Sequence, residues 1–310
     1  MSKKPKVGMW SGLTAVTAVL TAGAIVGTTV AFHYTTTVNN YLDADTYKII
    51  KGDSDEDTEY FKSDFTSDEE RESYEAELCA QVEAEGAALL KNDNNALPLA
   101  SGAKVSLFGH GSVDLMYGGT GSGSVDTSKA PNFKQALEDQ GIQVNSTLWD
   151  LYSSDDMMKN YSRITPAAIS DTLEANTQYA VNEAPWNKLS SAESSFADYG
   201  DAAIVVFSRS GGEGADLPSG ENGTNDSWIK GQEGDGNYLA LSAEEKELLQ
   251  NLKTLKDNGT FKKIIVLINS SNAIEMDFLN PEICGEDYGI DSAMWIGDVG
   301  QTGINGVAQL

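Results

Sequence analysis

The chain opens on a long apolar stretch, passes through a polar, acidic segment, and then settles into short apolar runs separated by helix-like patterns. No charged residue interrupts the sequence from Gly8 to Phe32, and no polar face recurs there at helical period. A helix that buries one stripe on a core does not have this pattern. The run is long enough to cross a hydrocarbon layer of roughly 30 Å. Lys3, Lys4 and Lys6 precede it, which predicts a cytoplasmic N-terminus and an exported remainder. Ala22-Gly23-Ala24 has the small-x-small form of a cleavage site, so a removed signal peptide competes with an uncleaved anchor. The length of the run favours the anchor.

From Tyr34 to Tyr74 the chain is polar, with acidic clusters at Asp53-Ser54-Asp55-Glu56-Asp57 and Asp68-Glu69-Glu70. Their spacing does not follow a calcium loop, and a solvated stalk is the expectation. Ser73 to Leu90 reads as an amphipathic helix with Leu78, Val82, Ala88 and Leu89 on its apolar side, and Lys91 to Pro98 as a turn. An alternation then begins. Apolar runs at Val105–Phe108, Val144–Leu148, Ala202–Phe207, Ile264–Ile268 and Ala293–Ile296 read as strands. Helical stretches at Phe133–Asp139, Ala243–Asp257 and Ile274–Leu279 lie between them, the second opened by Ser242 and Glu245 at capping-box spacing. Continuous apolar strands alternating with helices predict an α/β fold, a flavodoxin-like parallel sheet covered on both faces. Asp150 to Gly200 is long for a connection and is expected to hold helices of its own, packed as an insertion. Gly303 to Leu310 begins as a helix and stops with no C-cap, the pattern of a truncated chain. The expected organisation is a basic tail over 1–7, an anchor over 8–32, a stalk over 33–72 and the α/β domain over 73–310.

Composition narrows the chemistry. Hydrophobic residues are 40% of the 310-residue chain, enough for a packed core, and 47 acidic against 21 basic residues give a net charge of −26. Such a surface repels phosphate backbones, which argues against a nucleic-acid partner. The two cysteines, Cys79 and Cys284, have no partner at metal-ligand spacing and are expected as buried free thiols rather than a disulfide. The two histidines, His33 and His110, offer few candidates for a zinc site or a Ser-His-Asp triad. No metal or cofactor is expected, and attention passes to the carboxylates.

In open parallel sheets ligands bind beyond the carboxyl ends of the strands. Three Gly-rich loops are expected there: 109–124, 208–241 and 297–303. The first contains Gly118-Gly119-Thr120-Gly121-Ser122-Gly123-Ser124 but lacks the third glycine of a dinucleotide fingerprint and the Gly-Lys-Ser/Thr of a phosphate loop. In the second, Ser208-Arg209-Ser210-Gly211-Gly212-Glu213-Gly214-Ala215-Asp216, a carboxylate with glycine on both sides directly follows a buried strand. Glycine neighbours leave that carboxylate open to a ligand, which suits general acid/base work. A solvent-exposed Glu213 in a flexible loop is the bland alternative, since acidic residues are abundant in this chain.

Four segments together resemble the α/β sandwich domain of family 3 glycoside hydrolases: Glu85-Gly86-Ala87-Ala88-Leu89-Leu90-Lys91-Asn92 followed by Leu97-Pro98-Leu99; Gly118 to Gly123; Ser208 to Gly214 with Asp216; and Gly300-Gln301 with Gly303. The resemblance runs from about Ser73 to the C-terminus. It implies a retaining glycosidase of the β-glucosidase kind, with a barrel domain supplying an Asp nucleophile and the sandwich supplying a Glu acid/base. The residue that resembles that acid/base is Glu213. Gly119, Thr120, Ser122, Arg209 and Asp216 are expected near a glycoside or oligosaccharide substrate. Where the family often has Arg after Gly-Glu-Gly-x-Asp, this chain has Leu217. The sandwich follows the anchor directly, which resembles the members with reversed domain order and places the barrel outside this chain. A non-catalytic cell-surface carbohydrate-binding or interaction module is the competing class, and a nucleotide-binding α/β protein a third.

The location expected is the cell membrane, single-pass, with the acidic domain outside. Fractionation of expressing cells should recover the chain in the membrane pellet through a high-salt wash. A processed soluble form starting near Ile25 would establish the signal-peptide alternative instead.

Overall fold

The structure, a computed structural model, describes residues 7–42, 61, 63–119, 121–164, 180–212 and 238–310. The chain divides into two units, Met1–Ser63 and Asp64–Leu310. In the first, α1 (Val7–His33) and α2 (Thr35–Tyr41) follow one another. Trp10–His33 has a mean hydropathy of 1.8. The 27 residues of α1 span roughly 40 Å at the helical rise. Threonine is tolerated there because its hydroxyl bonds back into the helix: Thr14 Oγ1 donates to Trp10 O at 2.9 Å, Thr21 Oγ1 to Thr17 O at 2.9 Å and Thr29 Oγ1 to Ile25 O at 2.8 Å. Each of these bonds satisfies a hydroxyl donor that would otherwise face an apolar surface.

The second unit contains, in order, α3 (Asp68–Gly86), β1 (Ala88–Asn92), β2 (Lys104–Phe108), α4 (Phe133–Asp139), β3 (Gln143–Val144), α5 (Ser146–Tyr152) and α6 (Asp155–Asn160). They are followed by β4 (Ala202–Ser208), α7 (Ala243–Asp257), β5 (Ile264–Asn269), α8 (Pro281–Cys284), β6 (Ser292–Trp295) and α9 (Ile304–Val307). The strands form one sheet in the order β1-β6-β5-β4-β2-β3. The last five in sequence are mutually parallel and β1 pairs antiparallel with β6 at one edge. Every residue of β4 and β5 is buried, as expected for central strands covered on both faces. Side chains alternate between two cores. Leu107, Ile204, Val206, Ile265 and Leu267 meet Phe133 and Leu137 of α4 and Ile304 of α9. Phe108, Val205, Phe207 and Val266 meet Leu248, Leu249 and Leu252 of α7 on the other face. From β2 the chain goes out to β3, then returns past β2 to β4, so the strand order reverses between β2 and β4. Ligand crevices of such sheets lie at that reversal.

Five expectations are corrected. The helix foreseen over Ser73–Leu90 begins earlier, with Ser67 as N-cap accepting from Glu70 N, and ends at Gly86; Ala88–Asn92 leaves it to pair with β6. Its buried contact is the small residue Ala80, while Leu78 and Val82 are exposed, because a Cβ on Gly306 of α9 would overlap the Ala80 carbonyl. Small residues let the two backbones approach, and the larger side chains face away. The strand expected over Val144–Leu148 stops at Val144. Asn145 accepts from Leu148 N at 3.3 Å and caps α5, so Leu148 reaches the core from a helix. The described residues of the Asp150–Gly200 stretch do not pack apart as an insertion. Its described residues Tyr152, Met157, Leu189 and Phe196 complete one core, with the Phe196 ring 5.2 Å from Phe108. Ile274–Leu279 is a helix only over Asp277–Leu279, followed by α8. Cys79 and Cys284 are free thiols, half-buried rather than buried.

Candidate functional site

The crevice at the reversal is built by the loops that leave β2, β4, β5 and β6. The first turns at once. Gly109 has φ +81, and a Cβ there would stand 2.7 Å from the Val206 carbonyl, so only glycine lets β2 end this close to β4. The buried His110 donates its backbone N–H to Glu183 Oε2 at 2.7 Å, and its Nε2 faces Asp114 Oδ2 at 3.0 Å. Arg163 joins the two walls: Nη1 donates to the Asp114 carbonyl and to Ser208 Oγ, both at 2.8 Å, and Nη2 lies 3.1 Å from Asp114 Oδ2. Burial pushes the Asp114 carboxyl up. The His110 bond and the Arg163 charge outweigh it and hold the group below its ordinary value.

One amide side chain laces three loops. At the end of β5, Asn269 Oδ1 accepts from Met116 N at 2.6 Å, and Nδ2 donates to Met116 O at 3.0 Å and Gly297 O at 2.7 Å. Val299 N and Gly300 N then donate to Met116 O and Tyr117 O. This lacing holds the start of the Gly118–Ser124 loop against the loop after β6. Gly118 is packed under Val125, and a Cβ on Gly119 would stand 3.5 Å from the Gly211 carbonyl oxygen and 3.8 Å from Gly212 Cα. The two Gly-rich loops therefore meet backbone to backbone. Ser122 sits on the exposed Gly121–Gly123 turn, and Thr120 lies outside the described residues.

Glu213 and Asp216 also lie outside the described residues, as do Glu221 and Glu233. The base of their loop is described on both sides. A Cβ on Gly211 would overlap the Asn272 side-chain amide, so a larger residue there would have to displace Asn272. Arg209, expected beside the substrate, is fully buried. Its Nε donates to Tyr238 O, Nη1 to Ser208 O and Glu245 Oε1, and Nη2 to Ala240 O and Glu245 Oε2, all at 2.7–3.0 Å. A guanidinium has five N–H donors, and these five bonds use all of them, so Arg209 shapes the site from behind and has no donor left for a substrate.

Sequence patterns did not single out Arg163, Asp114, Glu183, Asn269 or Asp298. A signal existed for two of them. His110 and Asp114 stand four apart just past a strand, and Asn269 ends an otherwise apolar run. Arg163 and Glu183 come from the long connection, and nothing local marks them. After β6, Asp298 takes Ser271 N and Oγ at 3.2 and 2.8 Å. Burial raises its carboxyl against those bonds. Burial, with the Asp298 charge nearby, also pushes Glu83 of α3 to about 7.

Comparison with known proteins gives these features a context. The pattern described as Glycosyl hydrolase family 3 C-terminal domain matches residues 87–310. A "Beta-glucosidase" of Ruminococcus albus is 29% identical over 237 residues, covering 76% of this chain and 21% of that protein. A "Beta-glucosidase A" of Butyrivibrio fibrisolvens is 31% identical over 216 residues, covering 64% of this chain and 23% of that protein. The chain thus spans about a fifth of the length of the curated relatives it matches. Among solved structures, a beta-glucosidase from Paenibacillus barengoltzii superposes with a TM-score of 0.55 at 27% identity, over 76% of this chain and 22% of that one. Beta-glucosidase 3B from Thermotoga neapolitana in complex with glucose superposes with a TM-score of 0.53 at 23% identity, over 77% and 29%, a likeness of fold.

Glu183 generates a test of the site's electrostatics. Burial pushes its carboxyl to about 8, against the N–H bonds from His110 and Ala184 that pull it down. Folded Glu183 therefore keeps a proton that the unfolded chain releases near its ordinary value of about 4.3. Its contribution is fully present below the unfolded value and is lost as pH rises through about 8. Chemical denaturation of wild type and Glu183→Gln at several pH values between 5 and 9 should show the stability difference drifting against the wild type up to about pH 8. A difference that does not vary with pH would contradict the protonated carboxyl.

Proposed function

The chain belongs to glycosyl hydrolase family 3, and from that premise we propose that it supplies the acid/base carboxyl of a retaining glycosidase acting on β-glucosides. The observation that carries this reading is the meeting of the Gly119 and Gly211–Gly212 backbones at the strand-order reversal. The stem of Glu213 emerges where an α/β sheet of this kind takes its ligand. The β-glucosidase names of the relatives supply the substrate class.

Retention requires two carboxyl groups about 5 Å apart, one nucleophilic and one acid/base. In this reading Glu213 first protonates the leaving oxygen and then takes the proton of the water that releases the sugar from the enzyme. The nucleophile, an Asp on a barrel domain, comes from outside residues 1–310, in keeping with the fifth of the relatives' length that the chain covers. Gly119, Thr120 and Ser122 offer backbone and hydroxyl groups to the substrate's rim, joined by Asp216, three residues past the acid/base in sequence. Arg209 contributes from behind the stem. The wall formed by Asp114, Arg163 and Ser208 fixes the spacing of the two loops and holds a negative carboxylate at the crevice. Helix α1 anchors the assembly in the membrane with the domain on its outer side. Lys3, Lys4, Lys6 and the apolar length of α1 support that arrangement.

Replacing Glu213 with Ala in the full enzyme should slow turnover of glucosides with poor leaving groups by about a hundredfold or more, the upper part of the range for a general acid. Activated aryl glucosides need little protonation and should lose much less in the glycosylation step. Azide, which needs no general base, should restore part of the deglycosylation rate. Glu221→Ala and Glu233→Ala, in the same loop, should behave nearly as wild type. A leaving-group-dependent loss in either of these, with the Glu213 variant active, would move the acid/base assignment. The absence of any hydrolysis by the intact enzyme, with sugar binding retained, would favour a carbohydrate-binding module.

A further inference from the structure

The described segments on either side of 213–237 both meet one buried guanidinium. Arg209 lies four residues before Glu213, directly after β4. Its Nε reaches Tyr238 O at 2.8 Å and its Nη2 reaches Ala240 O at 2.7 Å, on the returning stem. Ser210 N donates to Tyr238 Oη at 2.9 Å, and Tyr238 Oη donates to Ser210 O at 3.1 Å, so one phenol closes the same gap a second time. The guanidinium stands 5.7 Å from the centre of the Tyr238 ring. Behind it, Glu245 takes Nη1 and Nη2 at 2.8 Å each in a fork-to-fork pair, with the two side chains 0% and 1% exposed.

Glu245 has a second task. It is the third residue of α7, where its Oε2 accepts from Ser242 N at 2.8 Å and its own N–H donates to Ser242 Oγ at 3.1 Å, a complete capping box. One carboxylate thus fixes the start of α7 and the end of β4, and through Arg209 the point where the loop returns.

We propose that Arg209 and Glu245 are positioning residues for Glu213, a pair that sets the reach of the acid/base by clamping both stems of its loop at one buried point. The proposal rests on the reading of Glu213 as acid/base. It assigns to the Arg209 position a role other than substrate contact. Three properties favour positioning over simple packing. All five donors serve the loop base or the pair, and none serves the sheet beyond Ser208. The clamp is rigid, since a planar bidentate fork fixes direction as well as distance. Only Ser210, Gly211 and Gly212 separate the clamp from Glu213 in sequence. A misplacement of about 1 Å at the reacting group costs up to a hundredfold in rate.

Arg209→Lys keeps the charge but replaces the fork by a point donor. In the full enzyme it should lower kcat about tenfold or more on alkyl glucosides. The change on dinitrophenyl glucosides should be severalfold smaller and KM should move little, with partial rescue by azide. Glu245→Asp should do the same to a smaller degree. Unchanged hydrogen-exchange protection of the β4 and β5 amides shows that the fold is intact. If one of the two variants does not fold, the other carries the test by itself. Folded variants with the wild-type dependence on leaving group, beside a crippled Glu213→Ala enzyme, would overturn the clamp alone. Wild-type turnover of alkyl glucosides by Glu213→Ala would overturn the acid/base reading, and the clamp with it.

Discussion

The bidentate pair between Arg209 and Glu245 is the constraint on which the geometry of the crevice depends. Removing two opposite charges from water costs several kcal/mol per ion, and their attraction offsets this only when every remaining donor and acceptor is also bonded. That condition is met. The guanidinium gives all five of its N–H groups to protein oxygens, and the carboxylate also closes the α7 capping box. A partly bonded pair would be a liability in this position. Because the bonding is complete, the ends of β4 and α7 and the return of the loop cannot shift independently. Asn269 does the equivalent for the other wall, where a single amide bonds the loops that follow β2 and β6.

These two anchors differ in how they were legible. The capping box at Ser242 and Glu245 could be read from spacing, and so could the strands Ala202–Ser208 and Ile264–Asn269, because a run of apolar residues at central-strand length has few other solutions. The role of Arg209 could not. A sequence shows an arginine beside a Gly-rich loop, and a surface residue that meets substrate would look the same. Only the return of the chain at Tyr238 and Ala240, about thirty residues later, surrounds it with carbonyl oxygens. The same limit explains β1. Ala88–Asn92 has the composition to continue a helix, and it becomes a strand because the edge of β6 is there to pair with it. It also explains Arg163 and Glu183, which reach the crevice from a connection with no local signal of its own.

The acidity of the chain is confined in its chemical consequence. A net charge of −26 spread over a surface sets solubility and partner class. The carboxylates that matter at the crevice are the few removed from water. Asp114 is kept charged by His110 and Arg163, whereas burial pushes Glu183 toward its neutral form. Environments that drive carboxyl groups apart in this way are what a fold needs to run acid and base chemistry side by side. The proposed reading divides the labour, with an acid/base after β4 and a nucleophile on another domain.

That division is most directly tested by trapping the nucleophile. A 2-deoxy-2-fluoro glucoside with an activated leaving group forms the covalent intermediate without needing the acid and then hydrolyses slowly. Incubated with the full enzyme, digested and mapped by mass spectrometry, the sugar should be found on an Asp outside residues 1–310, with Glu213 unlabelled. A label on any carboxylate within residues 64–310, Asp114 and Asp298 included, would contradict the account.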